Sequence, residues 1–166
     1  MDFEIIAAEE SPLGMIILRE RPPLEPGDDV IAEITLDHQF LMSSLSNLSE
    51  RALSHYAIEW HGGRGLSALV GGLGLGYTAH EALISEQVSD VVVIELLEPV
   101  IQWMRSGRVP LSDALAGELA PGGRLTIRQG DAYGFLRSDP TIHFDLILID
   151  VDHAPDDALG APNDAF

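Results

Sequence analysis

At 166 residues, 46% of them hydrophobic, the chain is one domain's worth of sequence with enough apolar side chains for a core. Its 27 acids and 9 bases, every base an arginine, give a net charge of −18, which repels phosphate backbones and makes nucleic acid a poor partner. It has no cysteine, which excludes disulfides, thiolate zinc sites and cysteine nucleophiles.

Three short strands are predicted first, over Phe3–Ala8, Met15–Arg19 and Val30–Leu36, separated by Ser11-Pro12-Leu13-Gly14 and by the turn-rich stretch 21–28. They form a small antiparallel unit ahead of the main sheet, and Gln39–Ser44 is ambiguous. Leu48, Ala52, Leu53, Tyr56, Ala57 and Trp60 recur at helical spacing, which predicts a helix over Asn47–Trp60 with Asn47 or Ser46 as its cap. The glycine-rich stretch 61–65 ends it. The chain thus divides into a β-strand unit over 1–46 and a nucleoside-binding unit over 47–166.

The stretch from Ser67 to Glu95 organises that second unit. A buried strand, Leu66–Val70, runs into the glycine loop Gly71–Gly76, which opens a helix over Tyr77–Ser85; a second apolar strand, Val91–Ile94, ends on Glu95. This is a nucleotide-binding βαβ unit. Gly72, Gly74 and Gly76 allow a tight turn and close approach to a ligand, and the helix start offers free amides. Glu95 lies nineteen residues after Gly76, where such folds place the carboxylate that binds ribose hydroxyls.

Beyond it, Pro99 starts a helix running to Met104, and Val109–Ala120 contains a short helix. Arg124–Arg128 is a third strand, leading into Gln129-Gly130-Asp131-Ala132 and a helical turn over Tyr133–Leu136. Phe144–Ile149 is a fourth strand, closing on Asp150. Four strands with helical crossovers predict a parallel sheet with its ligand beyond the strands' carboxyl ends. The fourth strand is then an edge with an uncovered apolar run, which points to a truncated form of a longer protein, or to a partner or second copy on that edge. The tail from Ala154 reads as irregular.

Asp131 either caps the helix that follows or accepts from an adenine amino group, with the neighbouring amides, Ala132 included, holding the ring. Asp150 either orients a cationic substrate and takes its proton or belongs, with Asp152 and His153, to a hydrogen-bonded turn. His38, His55, His61, His80 and His143 have no metal-ligand spacing and read as surface residues; no metal is expected. Ser43, Ser44 and Ser46 lack a nucleophile-elbow context. Trp60 and Trp103 read as core or interface anchors.

The apolar runs are too short to span a bilayer, and the N-terminus lacks the pattern of a secretory signal. The expectation is a soluble, cytoplasmic protein. Its acidity either serves solubility or steers a cationic ligand such as an amine.

At these residues the chain resembles the spermidine synthase family, on the class I S-adenosylmethionine-dependent methyltransferase fold. The matching segments are 70–76 with Glu81, Val93-Ile94-Glu95-Leu96, Gly130-Asp131-Ala132 and 144–150. The resemblance implies a transferase that binds S-adenosylmethionine or its decarboxylated form and passes an aminopropyl or methyl group to a small acceptor such as an amine. It sets Gly72, Gly74 and Gly76 beside the methionine-derived part, Glu95 on ribose and Asp131 at adenine. Asp150 would help deprotonate the attacking amine, with Asp152 as the second catalytic acid. The chain departs from the family at Leu75, the position at which the family's glycine loop carries an acid that holds the donor's amino group. It also departs at Asp150-Val151-Asp152-His153, in place of a D-S-S-D-type run, and at Asp37–Met42, in place of the segment lining the amine pocket. Two other readings stay open: a catalytically degenerate fold acting as an oligomerisation module, and an NAD-dependent dehydrogenase, in which Asp131 and Asp150 have no role.

Overall fold

The computed structural model describes residues 3–138 and 143–151. Two four-stranded sheets carry the architecture. The first is an antiparallel meander of β1 (Glu4–Ser11), β2 (Gly14–Arg21), β3 (Ile31–Leu36) and β4 (Gln39–Ser43). Helix α1 (Leu48–His61) leads into the second sheet, which is parallel: β5 (Leu66–Gly71), α2 (Tyr77–Ile84), β6 (Val88–Glu95), α3 (Glu98–Arg105), α4 (Ser112–Leu119), β7 (Leu125–Gln129), α5 (Ala132–Ser138) and β8 (Leu146–Ile149). The strand order is β7-β6-β5-β8. The chain steps outward from β5 to β7, then returns to the other side of β5. Between β5 and β8 the order reverses, and such reversals open the ligand crevice of open α/β sheets.

This is the expected α/β class with a Rossmann-like parallel sheet and a small N-terminal antiparallel unit, which has four strands rather than three. Asp37 and His38, both with positive φ (48° and 70°), form a two-residue hairpin turn that brings Gln39 opposite Leu36. Such turns need positive φ at both central residues and are normally marked by a glycine, which this one lacks. In β3, Ala32, Ile34 and Leu36 face the core, while Glu33 on the other face takes Arg19 (2.8 Å) and Arg21 (2.7 Å) from β2.

One apolar cluster joins the two sheets: Ile16, Leu18 and Ile34 pack in the same core as Val70, Val93 and Trp103. Trp103 on α3 is fully buried, and its indole N–H donates to Glu9 of β1 at 2.8 Å. Trp60, in contrast, is 94% exposed. Helix α1 ends as expected at Gly62, in the left-handed region, whose amide donates to Ile58. Leu53 and Ala57 of the expected stripe pack against the core, but the rest of the inward face differs. Ser54 and Ile58 are buried, whereas Leu48, Tyr56 and Trp60 point outward. Asn47 precedes the helix without a side-chain cap; its amide donates to the Ser44 carbonyl and its oxygen accepts from Arg51 Nε.

Among the described residues β8 is an edge strand. Its apolar run alternates: Leu146 and Leu148 are buried and Ile147 is 51% exposed. No helix of the described residues is long and apolar enough to cross a membrane.

Candidate active site at the carboxyl ends of the parallel strands

The glycine loop hangs from the end of β6. Glu95 is only 7% exposed; one carboxylate oxygen accepts the Leu73 amide and the other the Leu97 amide, each at 2.8 Å. Burial pushes this carboxyl above the usual carboxylate range, against the pull of the amides of Leu97, Leu73, Gly74 and Leu96. The side chain also lines a cavity of about 120 Å³.

That cavity gathers Gly72, Gly74, Glu95, Asp131, Ala132 and Asp150, residues predicted from four separate strand ends. Its remaining wall is apolar and includes Ile94, Leu96, Leu97 and Val100, with Leu41 and Met42 reaching in from β4. The lining suits a flat, partly apolar group with polar edges, since acids stand only at particular points of the rim.

Gly76 lies elsewhere. With φ of 93° it precedes α2, and a Cβ there would press on Met104 (2.8 Å) and Leu115 (3.0 Å). It sets the packing of the loop on α3 and α4, and it lines a second cavity of about 190 Å³ beside the first. Ser49, Glu50, Leu73, Leu75 and Tyr77 also line that second space, with Gly74, Leu41, Met42, Asp150 and Val151 shared between the two. Met42 packs over the loop so closely that a Cβ on Gly74 would meet its sulfur at 2.6 Å.

Asp131 adopts the capping arrangement: its two oxygens accept the amides of Tyr133 (3.1 Å) and Gly134 (2.9 Å), with Arg137 at 4.0 Å. It also stands on the rim of the first cavity. Asp150 borders both cavities; its amide donates to the Gly71 carbonyl at 2.8 Å and its carboxylate accepts from the Thr78 hydroxyl. Asp152 and His153 lie outside the described residues, as does the tail from Ala154.

Sequence reasoning missed Glu50, Tyr77 and Thr78. The Tyr77 phenol is pushed up by burial and opposed by Arg51, whose guanidinium sits 5.1 Å above its ring. Spacing alone gave no sign of these residues, because Glu50 and Asp150 meet only through folding. Leu75, where an acid was expected by resemblance, is buried. His80 is not a simple surface residue. Its Nδ1 is buried with no partner among the described residues, and burial followed by Arg51 lowers its basicity. Among the described residues, no group of three or more His, Cys, Asp or Glu could hold a metal ion.

No protein-family model matches the chain, and no curated protein matches it. Among solved structures it is similar to a spermidine synthase in complex with the transition-state analogue AdoDATO, with a TM-score of 0.71 at 23% identity. That match covers 90% of this chain and 47% of the other. It is also similar to a spermidine synthase from Thermotoga maritima, with a TM-score of 0.67 at 21% identity, covering 89% of this chain and 46% of that one. The chain therefore has a spermidine-synthase-like fold, and it spans about half the length of these structures.

Proposed function

We propose that the chain is a spermidine-synthase-like transferase that binds S-adenosylmethionine or its decarboxylated form and transfers an alkyl group to a small, cationic amine-type acceptor in the cytoplasm. The observation that carries this reading is the shared wall between the two cavities. Glu95 and Asp131 border one, Glu50 and Tyr77 border the other, and Asp150 borders both. In this reading the adenosine occupies the first cavity. The Glu95 carboxylate on its wall accepts from ribose hydroxyls, and Asp131 with the amide of Ala132 meets the adenine edge. Gly72 and Gly74 keep the floor bare where the chain of the donor passes.

The acceptor enters the second cavity, where Glu50 supplies a carboxylate. The overall charge of −18 favours entry of a cation there. An uncharged amine attacking the carbon beside a sulfonium forms a C–N bond, breaks the C–S bond and leaves a neutral thioether. The proton released from the amine passes to the Asp150 carboxylate, which stands between the two sites. Alignment of the two reactants across this wall supplies the remaining advantage.

Titration calorimetry with both donors and with 5′-methylthioadenosine tests the reading. Binding of at least one adenosyl compound is expected, and no heat with any of them up to millimolar concentration sinks it. Product analysis then separates the transfers, since aminopropyl transfer leaves methylthioadenosine and methyl transfer leaves S-adenosylhomocysteine.

A second reading is favoured by the outward-facing Leu48, Tyr56 and Trp60 of α1 and by Ile147 on the β8 edge. Here the fold is catalytically idle and works as an oligomerisation module, with a second copy on that edge. A monodisperse monomer by light scattering that turns over donor excludes it.

A further inference from the structure

Thr78 is the second residue of α2, immediately past the glycine loop, and is 2% exposed. A buried hydroxyl needs a partner, and this one stands between two acceptors. Its Oγ1 donates to Oδ2 of Asp150 at the end of β8, and the backbone carbonyl of Glu50 in the first turn of α1 lies 3.4 Å from the same oxygen. The residue itself is held firmly, because its own carbonyl accepts from the Ser54 hydroxyl of α1 at 2.7 Å.

A hydroxyl carries one proton and cannot serve both acceptors at once. While Asp150 is charged, the carboxylate is the stronger acceptor and takes the proton; the longer contact to Glu50 is then secondary. Once Asp150 is protonated, the relation can reverse. Its own O–H can donate to Thr78 Oγ1, and the Thr78 proton can turn to the Glu50 carbonyl. No side chain needs to move, since rotation of one O–H bond is enough.

We infer that Thr78 is a positioning residue for Asp150, holding that carboxyl group at the wall between the cavities in both its charged and its neutral form. The inference rests on reading Asp150 as the proton acceptor, and it adds a partner that accommodates the proton after transfer. The other titratable groups lining the two cavities among the described residues are Glu50 and Tyr77 on one side and Glu95, Asp131 and Tyr133 on the other. Arg51 lies behind Tyr77.

The test needs no donor, so it stands apart from the test of transferase activity. Carboxyl carbon resonances of the aspartates are followed by NMR against pH, with the Asp150 signal identified by its loss in Asp150→Asn. A hydrogen bond to the charged form favours that form. The Asp150 midpoint should therefore move to higher pH in Thr78→Val, which fills the volume without the hydroxyl, and in Thr78→Ala, which vacates it. It should return to the wild-type position in Thr78→Ser. Using two hydroxyl-free variants guards against one of them failing to fold. A midpoint in the folded hydroxyl-free variant that coincides with wild type overturns the inference, as does a midpoint in Thr78→Ser that follows Thr78→Val. Failure of every adenosyl compound to bind would instead remove the transferase reading and leave the titration result intact.

Discussion

A Cβ atom on Gly72 would stand 2.2 Å from the carbonyl oxygen of Asp150. The turn after β5 and the end of β8 thus touch at the point where the strand order reverses, and the site depends on that contact. Gly72 also has φ of 93°, where a side chain is strained regardless of space. Gly72→Ala should therefore cost about 2–5 kcal/mol, combining overpacking with backbone strain. Gly107, with φ of 78° and nothing within 4 Å of a Cβ, is the control. Gly107→Ala should cost only about 1–2 kcal/mol. Urea denaturation of the two variants checks the difference, and equal losses would mean that the close approach to β8 contributes nothing.

Glu33 should make the antiparallel sheet acid-sensitive. Burial opposes its charge, but Arg21 and Arg19 together hold its carboxyl below the usual range. A carboxyl lowered in the folded state contributes stability that is present above its unfolded value and lost as pH falls through the folded one. Stability of the wild type should then fall between about pH 5 and pH 2 more steeply than that of Glu33→Gln. At neutral pH the same variant should be less stable by about 1–3 kcal/mol, because two guanidiniums lose their charged partner. Urea midpoints measured across this range decide it. Parallel curves for the two proteins would show that Glu33 is not the linked group.

The parallel sheet was legible because its strands are short apolar runs bounded by Gly, Pro and Asp, and because a buried strand needs little else to be recognised. The glycine loop was legible for the same reason, since strand, glycines, helix and acid follow one another closely in sequence. Strand β4 was not, because the Asp37-His38 turn achieves positive φ without glycine. The face of α1 was legible only in part, because spacing identifies a stripe without saying what lies against it. Leu53 and Ala57 of the expected stripe do pack against the core, yet Leu48, Tyr56 and Trp60 are exposed and the buried residues are Ser54 and Ile58. Ser54 is buried because its hydroxyl has a partner in the Thr78 carbonyl, which no sequence window contains. Glu50 and Thr78 were invisible as site residues for the same reason: their meeting with Asp150 is a product of topology.

The two tryptophans should report separately on the α1 surface. Trp103 is fully buried and Trp60 almost fully exposed. In dilute solution Trp60→Phe should remove most of the emission that acrylamide can quench, leaving the shielded signal of Trp103. Protection of Trp60 that grows with protein concentration is expected if a second copy covers α1 and the neighbouring β8 edge. Quenching that is independent of concentration would count against the oligomerisation reading.

Glu95 and Asp150 should separate binding from turnover. In Glu95→Gln, one of the Leu73 and Leu97 amides faces an NH₂ group instead of an oxygen, and the charge offered to a ribose is lost. A charge-assisted hydrogen bond is worth roughly 1.5–3 kcal/mol, so donor affinity should fall by about 10- to 150-fold. Asp131→Asn, which keeps an oxygen for the amides of α5, should weaken the donor in the same direction. Asp150→Asn keeps the shape of the wall and removes the proton acceptor. Donor affinity should stay within a few-fold, while transfer slows by about 10² or more. Calorimetry and single-turnover rates on the same three proteins make the comparison. If Asp150→Asn weakens the donor as much as Glu95→Gln and leaves turnover of bound donor unchanged, Asp150 belongs to the nucleoside site, and the acceptor's proton must go elsewhere.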